Sequence, residues 1–418
     1  MQKAIRTGIL GFGKQGSHYA RMFFENRVCP ELRLTAIADT NPDRLRWAEE
    51  HAPEGISFFT SAEAMFGSGT LDACIIATPH VLHPEHTICA LKNGIHVLCD
   101  KPAGVNAQQV RKVLEEADRH PDTVFAVMFN QRTNCAYRKL REIIRNGTYG
   151  KVRRIEWTIF NWFRSQFYYD NSDWRGVWNG AYGGTIVDQC PHQVDLWQWI
   201  FGMPDRVTCR MGFGMHHDIE VDDEVVSIME YDSGIMGVLN ISTSVPNGAN
   251  ILRVHLDGAN ITVKGTSVFV GKFPMSVQEW EKTPHGLFDR PEAEPVVELE
   301  TDGMNLQHDG VLQNWAAAIL GTGSCVADGR EALNSVILSD AMYLSAFTDR
   351  PVTLPFDDSI YVEELGKRVS ASRKREPSPN PLALVESTFG IKNRKMMDSY
   401  FGFSAGDDSD DPDKGNGI

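Results

Sequence analysis

The sequence predicts an α/β protein that begins with a doubly wound parallel sheet, and three observations support this. An apolar strand at residues 5–10 runs into a glycine-rich turn and then into a helix-compatible segment at residues 17–24. A second strand at residues 34–38 ends in Asp39. Apolar runs at residues 73–77 and 96–99 lack alternation and are separated by a helical stretch, as expected of parallel strands buried on both faces.

The turn after the first strand has the spacing Gly11-x-Gly13-x-x-Gly16. Gly11 allows a tight turn, Gly13 lets the backbone approach a pyrophosphate, and Gly16 lets the helix pack closely on the strand. Alone, this spacing is equally typical of a glycine-rich turn without a ligand. Asp39 strengthens the functional interpretation, because a carboxylate there accepts both ribose hydroxyls of an adenosine and repels a 2′-phosphate. The sequence therefore predicts a dinucleotide site that favours NAD over NADP.

Two further strands of this sheet end in polar motifs. Thr78-Pro79 follows one of them and Asp100-Lys101-Pro102 follows the other. The carboxyl ends of the strands are where doubly wound sheets bind ligands, so Lys101 is well placed for chemistry. The alternative is a surface lysine that closes a turn before Pro102.

A glycine pair, Gly183-Gly184, precedes a segment rich in acid/base groups. If this segment is helical, Asp188, His192 and Asp195 recur at i, i+4 and i+7 and share one face. Histidine exchanges protons near neutrality, and a neighbouring carboxylate can orient it. The alternative is a buried polar cluster at a helix end.

Residues 161–178 mix aromatic, arginine and acidic side chains densely. Aromatic faces pack on sugar rings and charged groups bind vicinal hydroxyls, so a polyol pocket is one interpretation. An aromatic dimer interface is the other. Tyr168, Trp174 and Arg175 are the substrate-binding candidates. His308 precedes a helix and either reaches the same cleft or serves as a polar residue at the helix start.

Composition excludes several classes of protein. The chain has 418 residues, enough for two domains, and a formal net charge of −14 that argues against a nucleic-acid partner. No apolar run approaches the roughly 20 residues of a membrane helix. Eight scattered cysteines without CxxC spacing suggest free thiols, and the immediate N-terminal strand leaves no room for a signal peptide, so we expect a cytoplasmic protein. Five aspartates within residues 406–414 predict a solvated, disordered acidic tail.

The second half predicts a strand at residues 152–159 and an antiparallel hairpin at residues 224–231 and 235–241. A further strand pair is predicted within residues 252–263, broken at Asp257-Gly258. Helices are predicted at residues 311–320 and 331–347.

Taken together, the motifs at residues 11–16, 39, 78–79, 100–102 and 183–192 resemble those of the Gfo/Idh/MocA oxidoreductases, which include glucose-fructose oxidoreductase and inositol dehydrogenase. The resemblance runs from about residue 5 to about residue 355 and includes Asn130-Gln131-Arg132. It implies a Rossmann domain that carries NAD or NADP, followed by an α/β domain with an open, mainly antiparallel sheet. That sheet often forms the oligomer interface in the family, so a homodimer or homotetramer is implied.

The resemblance also implies roles for individual residues. Lys101 matches the lysine of the family's Glu-Lys-Pro motif, which contacts the nicotinamide ribose and the substrate hydroxyl, while Asp188 and His192 match its carboxylate and proposed general base. This chain departs from the family at Asp100, where glutamate is usual, which shortens that side chain by one methylene and leaves Lys101 in register. The predicted cofactor contacts are Gly11, Phe12, Gly13, Lys14, Gln15, Gly16, Asp39, Thr78, Pro79, His83, Asp100, Lys101 and Gln131. Lys101, Asp188 and His192 join Tyr168, Trp174 and Arg175 as predicted substrate contacts.

We therefore expect an NAD-dependent oxidoreductase that oxidises a ring hydroxyl of a sugar, glycoside or cyclitol. Among these hydroxyls, the one at C3 of a glucoside-like ring is favoured. No ligand cluster suggests a metal. The alternative is redox-neutral glycoside cleavage through a transient keto sugar, and a third class is a cofactor-sensing regulator. The expected division is a Rossmann domain at residues 1–128, a substrate-binding and oligomerisation domain at 129–372, and a C-terminal extension at 373–418. Within that extension, residues 373–381 resemble a linker, and residues 382–400 are expected to pack on a neighbouring subunit or cover the cleft.

Overall fold

A computed structural model describes residues 4–172, 174–374 and 382–389. The prediction of an acidic, disordered tail lies outside the described residues, and so does most of the predicted linker.

The N-terminal region is built around a six-stranded parallel sheet with the order β3-β2-β1-β4-β5-β6. Its strands are β1 (Ile5–Leu10), β2 (Leu32–Ala38), β3 (Ser57–Phe59), β4 (Ala73–Ile76), β5 (His96–Cys99) and β6 (Phe125–Val127). Its helices are α1 (Lys14–Phe24), α2 (Pro42–His51), α3 (Ala62–Phe66), α4 (His83–Lys92) and α5 (Ala107–Arg119). This confirms the predicted doubly wound parallel sheet.

Both faces of the parallel sheet are buried. Adjacent residues of β1 belong to different core clusters, with Ile9 in one and Leu10 in the other. The strands are short, apolar and covered by helices on each side, which explains the unalternating hydrophobic runs in the sequence.

The second sheet has nine strands in the order β14-β13-β12-β11-β7-β10-β9-β8-β15. They are β7 (Val152–Ile159), β8 (Arg206–Phe213), β9 (Asp222–Glu230), β10 (Met236–Ser242), β11 (Asn250–Leu256), β12 (Ala259–Lys264), β13 (Ser267–Lys272), β14 (Val297–Glu298) and β15 (Val352–Thr353). Only β7 and β10 pair in parallel; the other pairs are antiparallel. The predicted mainly antiparallel sheet and its β9–β10 hairpin are confirmed.

The described helices of the second half are α6 (Cys135–Asn146), α7 (Gln166–Asp170), α8 (Trp178–Ala181), α9 (Pro191–Phe201), α10 (Val277–Trp280), α11 (Gln307–Ile319), α12 (Ala332–Thr348), α13 (Asp358–Ala371) and α14 (Ala383–Phe389). One turn of π-helix, Thr185–Gln189, precedes α9. α9 and α12 pack in the core of the nine-stranded sheet.

The chain returns to the parallel sheet after building the second one. Val311, Leu312 and Trp315 of α11 are buried in the same cluster as Ile9 of β1. α12 covers both sheets, because Ala332 and Val336 belong to a core cluster of the parallel sheet while Leu338 and Ala341 belong to that of the nine-stranded sheet. Among the described residues, no helix has both the length and the apolar content needed to cross a bilayer.

Candidate active site

The glycine-rich turn is constrained by backbone contacts on both sides. Gly11 has φ +93°, and a Cβ there would lie 2.7 Å from the carbonyl oxygen of Ala77. A Cβ on Gly16 would lie 1.7 Å from the carbonyl oxygen of Gly11. Both positions therefore exclude a side chain, as the dinucleotide-binding interpretation requires.

The N-terminus of α1 is suited to an anion. Its N-cap residue is Gly13, which has no side chain to accept a hydrogen bond from the first backbone N–H groups. The first turn contains no acidic residue. Backbone N–H groups and the positive end of the helix dipole are thus available to a diphosphate. The residues present fit the pyrophosphate of a dinucleotide.

Asp39 lies at the end of β2 and is 8 % exposed. Its carboxylate accepts hydrogen bonds from the backbone N–H of Phe12 at 2.6 Å and of Asn41 at 2.7 Å. Arg44 lies 3.7 Å from the same carboxylate. The acid is therefore fixed against the glycine turn, at the position where it would meet an adenosine ribose.

Lys101 extends across the cleft from the end of β5. Its Nζ donates to the backbone carbonyl of Asp188 at 2.9 Å, while its own N–H donates to the Asp100 carboxylate at 2.8 Å. One lysine thus connects the parallel sheet to the π-helical turn of the second region.

Asp188 gathers several predicted site residues. Its carboxylate accepts from the Tyr168 hydroxyl at 2.9 Å and the Gln189 amide at 2.7 Å, and Arg175 Nε lies 3.5 Å away. Burial opposes its ionisation, but Arg175, Lys101 and other neighbours outweigh that effect and lower the pKa of Asp188 to about 2. This carboxylate is charged at neutral pH.

His192 lies in the first turn of α9. Its Nδ1 is buried and has no hydrogen-bond partner among the described residues. Burial, with the charge of Lys101 and the proximity of His308, lowers the pKa of His192 well below its usual value. The imidazole is neutral near pH 7 and able to accept a proton.

Models of two domains of one family match most of this architecture. An oxidoreductase-family model with an NAD-binding Rossmann fold matches residues 5–128, and the GFO/IDH/MocA C-terminal domain matches residues 137–266. This chain belongs to the Gfo/Idh/MocA family. It is an NAD-binding oxidoreductase by family.

Relatives within the Gfo/Idh/MocA family include enzymes named for small polyols. A myo-inositol 2-dehydrogenase from Thermotoga maritima is 25% identical over 248 residues, 57% of this chain and 68% of that protein. A 1,5-anhydro-D-fructose reductase from Ensifer adhaerens is 26% identical over 291 residues, 69% of this chain and 81% of that protein. The crystal structure of the WlbA dehydrogenase from Bordetella pertussis, in complex with NADH and UDP-GlcNAcA, superposes with a TM-score of 0.70 at 25% identity. That likeness covers 85% of this chain and 100% of the other.

The departure from the Gfo/Idh/MocA pattern at position 100 leaves the neighbouring lysine in place. Asp100 is nearly buried, and burial raises its pKa. Its side chain binds the backbone N–H of Lys101.

The predicted substrate residues form one packed group. The Arg175 guanidinium carbon lies 4.8 Å from the Tyr168 ring centroid and 4.4 Å from that of Trp174. Because Tyr168 and Arg175 also contact Asp188, the structure brings these three residues to the same end of the cleft. Asp173, in the same segment, lies outside the described residues.

His80 directly follows the Thr78-Pro79 motif and was not predicted as a site residue. Its ring centroid lies 5.1 Å from Trp174, and its Nδ1 is buried without a hydrogen-bond partner among the described residues. Burial lowers the pKa of His80 well below its usual value, against the opposing influence of Asp188. Its position directly after Thr78-Pro79, at the end of a strand, was the signal that could have identified it.

Two other predicted residues, His83 and Gln131, make contacts within the protein. His83 places its two ring nitrogens 2.7 Å from the carbonyls of Thr78 and Pro102, which ties the loop after β4 to the lysine loop. Gln131 donates to the Gln307 side chain at 2.8 Å.

His308 lies against the glycine turn. Its Nε2 is 3.2 Å from the Gln15 amide nitrogen and its Nδ1 is 3.4 Å from that of Asn130. Burial, with the charge of Lys101, lowers the pKa of His308 to about 3. It joins the start of α11 to the Gly11–Gly16 motif.

The shared helical face expected for Asp188, His192 and Asp195 is not present. The π-helical turn ends at Gln189, and α9 begins at Pro191. Asp195 is fully buried and accepts two hydrogen bonds from Arg132, at 2.7 and 2.8 Å. Asp195 therefore forms an ion pair with Arg132 in the core and is not part of the cleft. Among the described residues, no hydrogen bond joins Asp188 to His192.

Asp222, which the sequence did not single out, holds the π-helical turn in place. Its buried carboxylate accepts from the backbone N–H of Gly184 at 2.7 Å and of Ile186 at 3.1 Å, and from the Tyr343 hydroxyl at 2.6 Å. A Cβ on Gly184 would lie 2.1 Å from the Asp222 carbonyl oxygen. The second glycine of the pair therefore allows close packing on β9.

Proposed function

We propose that the protein is an NAD-dependent oxidoreductase that removes hydride from a ring carbinol of a sugar, glycoside or cyclitol, with C3 of a glucoside-like ring favoured. The observation that carries this proposal is the proximity of a neutral histidine and a lysine in one cleft. His192 Nδ1 has no hydrogen-bond partner among the described residues, and burial together with the charge of Lys101 lowers the pKa of His192. A base beside a cation is what alcohol oxidation needs.

The reaction gives each residue a task. NAD, when bound, supplies the hydride acceptor. As the C–H bond weakens, the hydroxyl becomes strongly acidic, and His192 takes its proton. Lys101 donates a hydrogen bond to the developing alkoxide, an interaction of roughly 3 kcal/mol in a dry site.

Asp188 organises the other side of the substrate. Its ionised carboxylate holds Tyr168 and Arg175, and its backbone carbonyl holds Lys101. A carboxylate, a guanidinium and a phenol hydroxyl together suit the vicinal hydroxyls of a polyol ring. Trp174 adds an aromatic face for the ring itself.

One feature supports NAD as the preferred coenzyme, and a second feature weakens that preference. The Asp39 carboxylate is fixed by backbone N–H groups at the end of β2 and repels a 2′-phosphate. Arg44, at 3.7 Å, offsets part of that charge. We therefore expect a preference for NAD with residual use of NADP.

We also propose that the protein is a homo-oligomer that associates through the open face of the nine-stranded sheet. Val226 and Ile228 of β9 and Met236 of β10 are exposed there by 47%, 37% and 44%. Such a set of apolar side chains on one sheet face favours association.

The test incubates purified protein and NAD with sugars, inositols and O- and C-glycosides, while NADH absorbance and product mass are followed. Stoichiometric NADH with a product lighter by two hydrogens supports the dehydrogenase. If no compound in the panel is oxidised and no aglycone is released, the proposal is wrong.

A second candidate is redox-neutral glycoside cleavage, in which oxidation acidifies the neighbouring C–H and permits elimination. The packing of α14 against α1, the helix that follows the glycine-rich turn, favours it, because this chemistry needs a coenzyme that stays bound between turnovers. Aglycone release without net NADH identifies this activity in the same assay.

A further inference from the structure

The C-terminal helix α14 packs on the coenzyme-binding side of the parallel sheet of its own chain. Val385 is fully buried in the cluster that contains Phe12 of the glycine turn. Phe389 packs on Trp47, with ring centroids 4.6 Å apart, and on Phe24 at 6.0 Å. The helix is thus an integral part of this core.

Polar contacts join α14 to the start of α1. Lys14 Nζ donates to the Ser387 hydroxyl at 2.7 Å, and Ser17 donates to the Thr388 hydroxyl at 3.0 Å. Lys14 lies within the Gly11–Gly16 motif, so Ser387 bonds directly to a side chain of the predicted diphosphate loop.

The Lys14 ammonium lies in an unfavourable electrostatic environment. Burial, with the charges of Arg21 and Arg175, lowers the pKa of Lys14 to about 8. Its position in the first turn of α1 adds the unfavourable positive end of the helix dipole. A diphosphate at this helix end would relieve both effects.

We propose that Ser387 is a positioning residue that holds the Lys14 ammonium toward the coenzyme diphosphate, so that the C-terminal segment slows coenzyme release. This inference rests on the proposed function, because it assumes a dinucleotide at the glycine turn. The Ser387 hydroxyl accepts one of the three ammonium protons and leaves the others for phosphate oxygens. Slow release would keep one coenzyme bound through successive turnovers.

The test measures NADH dissociation from full-length protein by fluorescence in a stopped-flow displacement experiment. We expect Ser387→Ala to accelerate dissociation about 3- to 10-fold and Lys14→Met about 10- to 100-fold. In the double variant, the rate should match that of Lys14→Met alone, because Ser387 acts through Lys14. Ser387→Thr keeps the hydroxyl and should restore slow release.

Ser359→Ala is the matched control, because Ser359 is an exposed serine of α13 remote in sequence from the segment. Its dissociation rate should equal that of the wild type. If Ser387→Ala releases NADH at the wild-type rate, or if its effect adds fully to that of Lys14→Met, the inference is wrong while the proposed function stands. If the wild type does not bind NADH at all, both are wrong.

Discussion

The two sides of the cleft, proposed to bind coenzyme and substrate, differ in how they are assembled. The proposed coenzyme side comes from a short contiguous motif, residues 11–16, with Asp39 one strand further on. The substrate side is assembled from separate segments: Lys101 follows β5, Tyr168 lies in α7, and Asp188 lies in a π-helical turn held by Asp222 of β9. Backbone requirements can be predicted from a short stretch of sequence, whereas contacts between side chains that are distant in sequence cannot.

The largest expected effect tests the substrate side. Replacing His192 by Asn should lower turnover by about 10²- to 10⁴-fold, because the general base is lost while the side chain keeps a similar shape. NADH affinity, measured by fluorescence titration, should stay near the wild-type value. Turnover close to the wild-type value would show that His192 is not the general base and would contradict the assignment of the substrate side.

The next effect tests the coenzyme side. Replacing Asp39 by Ala should weaken NADH binding about 10- to 100-fold, because hydrogen bonds to a charged group are lost. NADPH should be weakened less, since its 2′-phosphate no longer meets the carboxylate. Titration of both coenzymes measures the change in preference.

Arg44→Ala is the complementary control, because it removes the cation beside the same ribose position. It should weaken NADPH more than NADH. An unchanged coenzyme preference in Asp39→Ala would contradict the assigned role.

A third prediction asks whether the substrate side depends on a remote support. Asp222→Asn replaces a buried carboxylate that accepts three hydrogen bonds, so at least one donor faces an amide N–H₂ instead. We expect a loss of about 1–3 kcal/mol in the free energy of unfolding, measured with urea, together with reduced turnover. The control is Asp232→Asn, because Asp232 is exposed, and it should change neither the free energy of unfolding nor the turnover. If the two variants behave alike, Asp222 does not support the substrate side.

The smallest effect concerns pH. Because the pKa of Lys14 is lowered to about 8, its side chain in the unliganded protein is protonated below that pH and loses its proton above it. Because a diphosphate binds the charged form, NADH affinity should be constant below about pH 8 and weaken above it by at most about tenfold per pH unit. Lys14→Met should bind NADH more weakly but without this dependence. A wild-type affinity that stays constant through pH 9 would contradict it.

Much of the fold could be predicted from the sequence because its signals are local. Strands β1, β5 and β7 have the predicted bounds, and the β9–β10 hairpin follows from its short turn. The glycine turn was predictable because a side chain at Gly11 or Gly16 would collide with backbone atoms.

The arrangement within the active site was harder to predict. The i, i+4, i+7 spacing described one regular helix, but the π-helical turn and the start of α9 at Pro191 divide the segment. Asp195 instead binds Arg132, which is distant in sequence. The spacing of residues alone could not predict this pair. Asp222 was missed for the same reason, since its role depends on neighbours brought together by folding, whereas His80 had a local signal in its position after Thr78-Pro79.

The most direct test of the central claim is to mix NAD-loaded protein with ring-deuterated sugars, glycosides and cyclitols, quench, and measure the mass of the extracted coenzyme. This detects hydride transfer whether NADH is released or kept in the site. We predict deuterium on the coenzyme with at least one ring substrate, and much slower labelling in His192→Asn. Coenzyme that stays unlabelled with every compound would contradict the account.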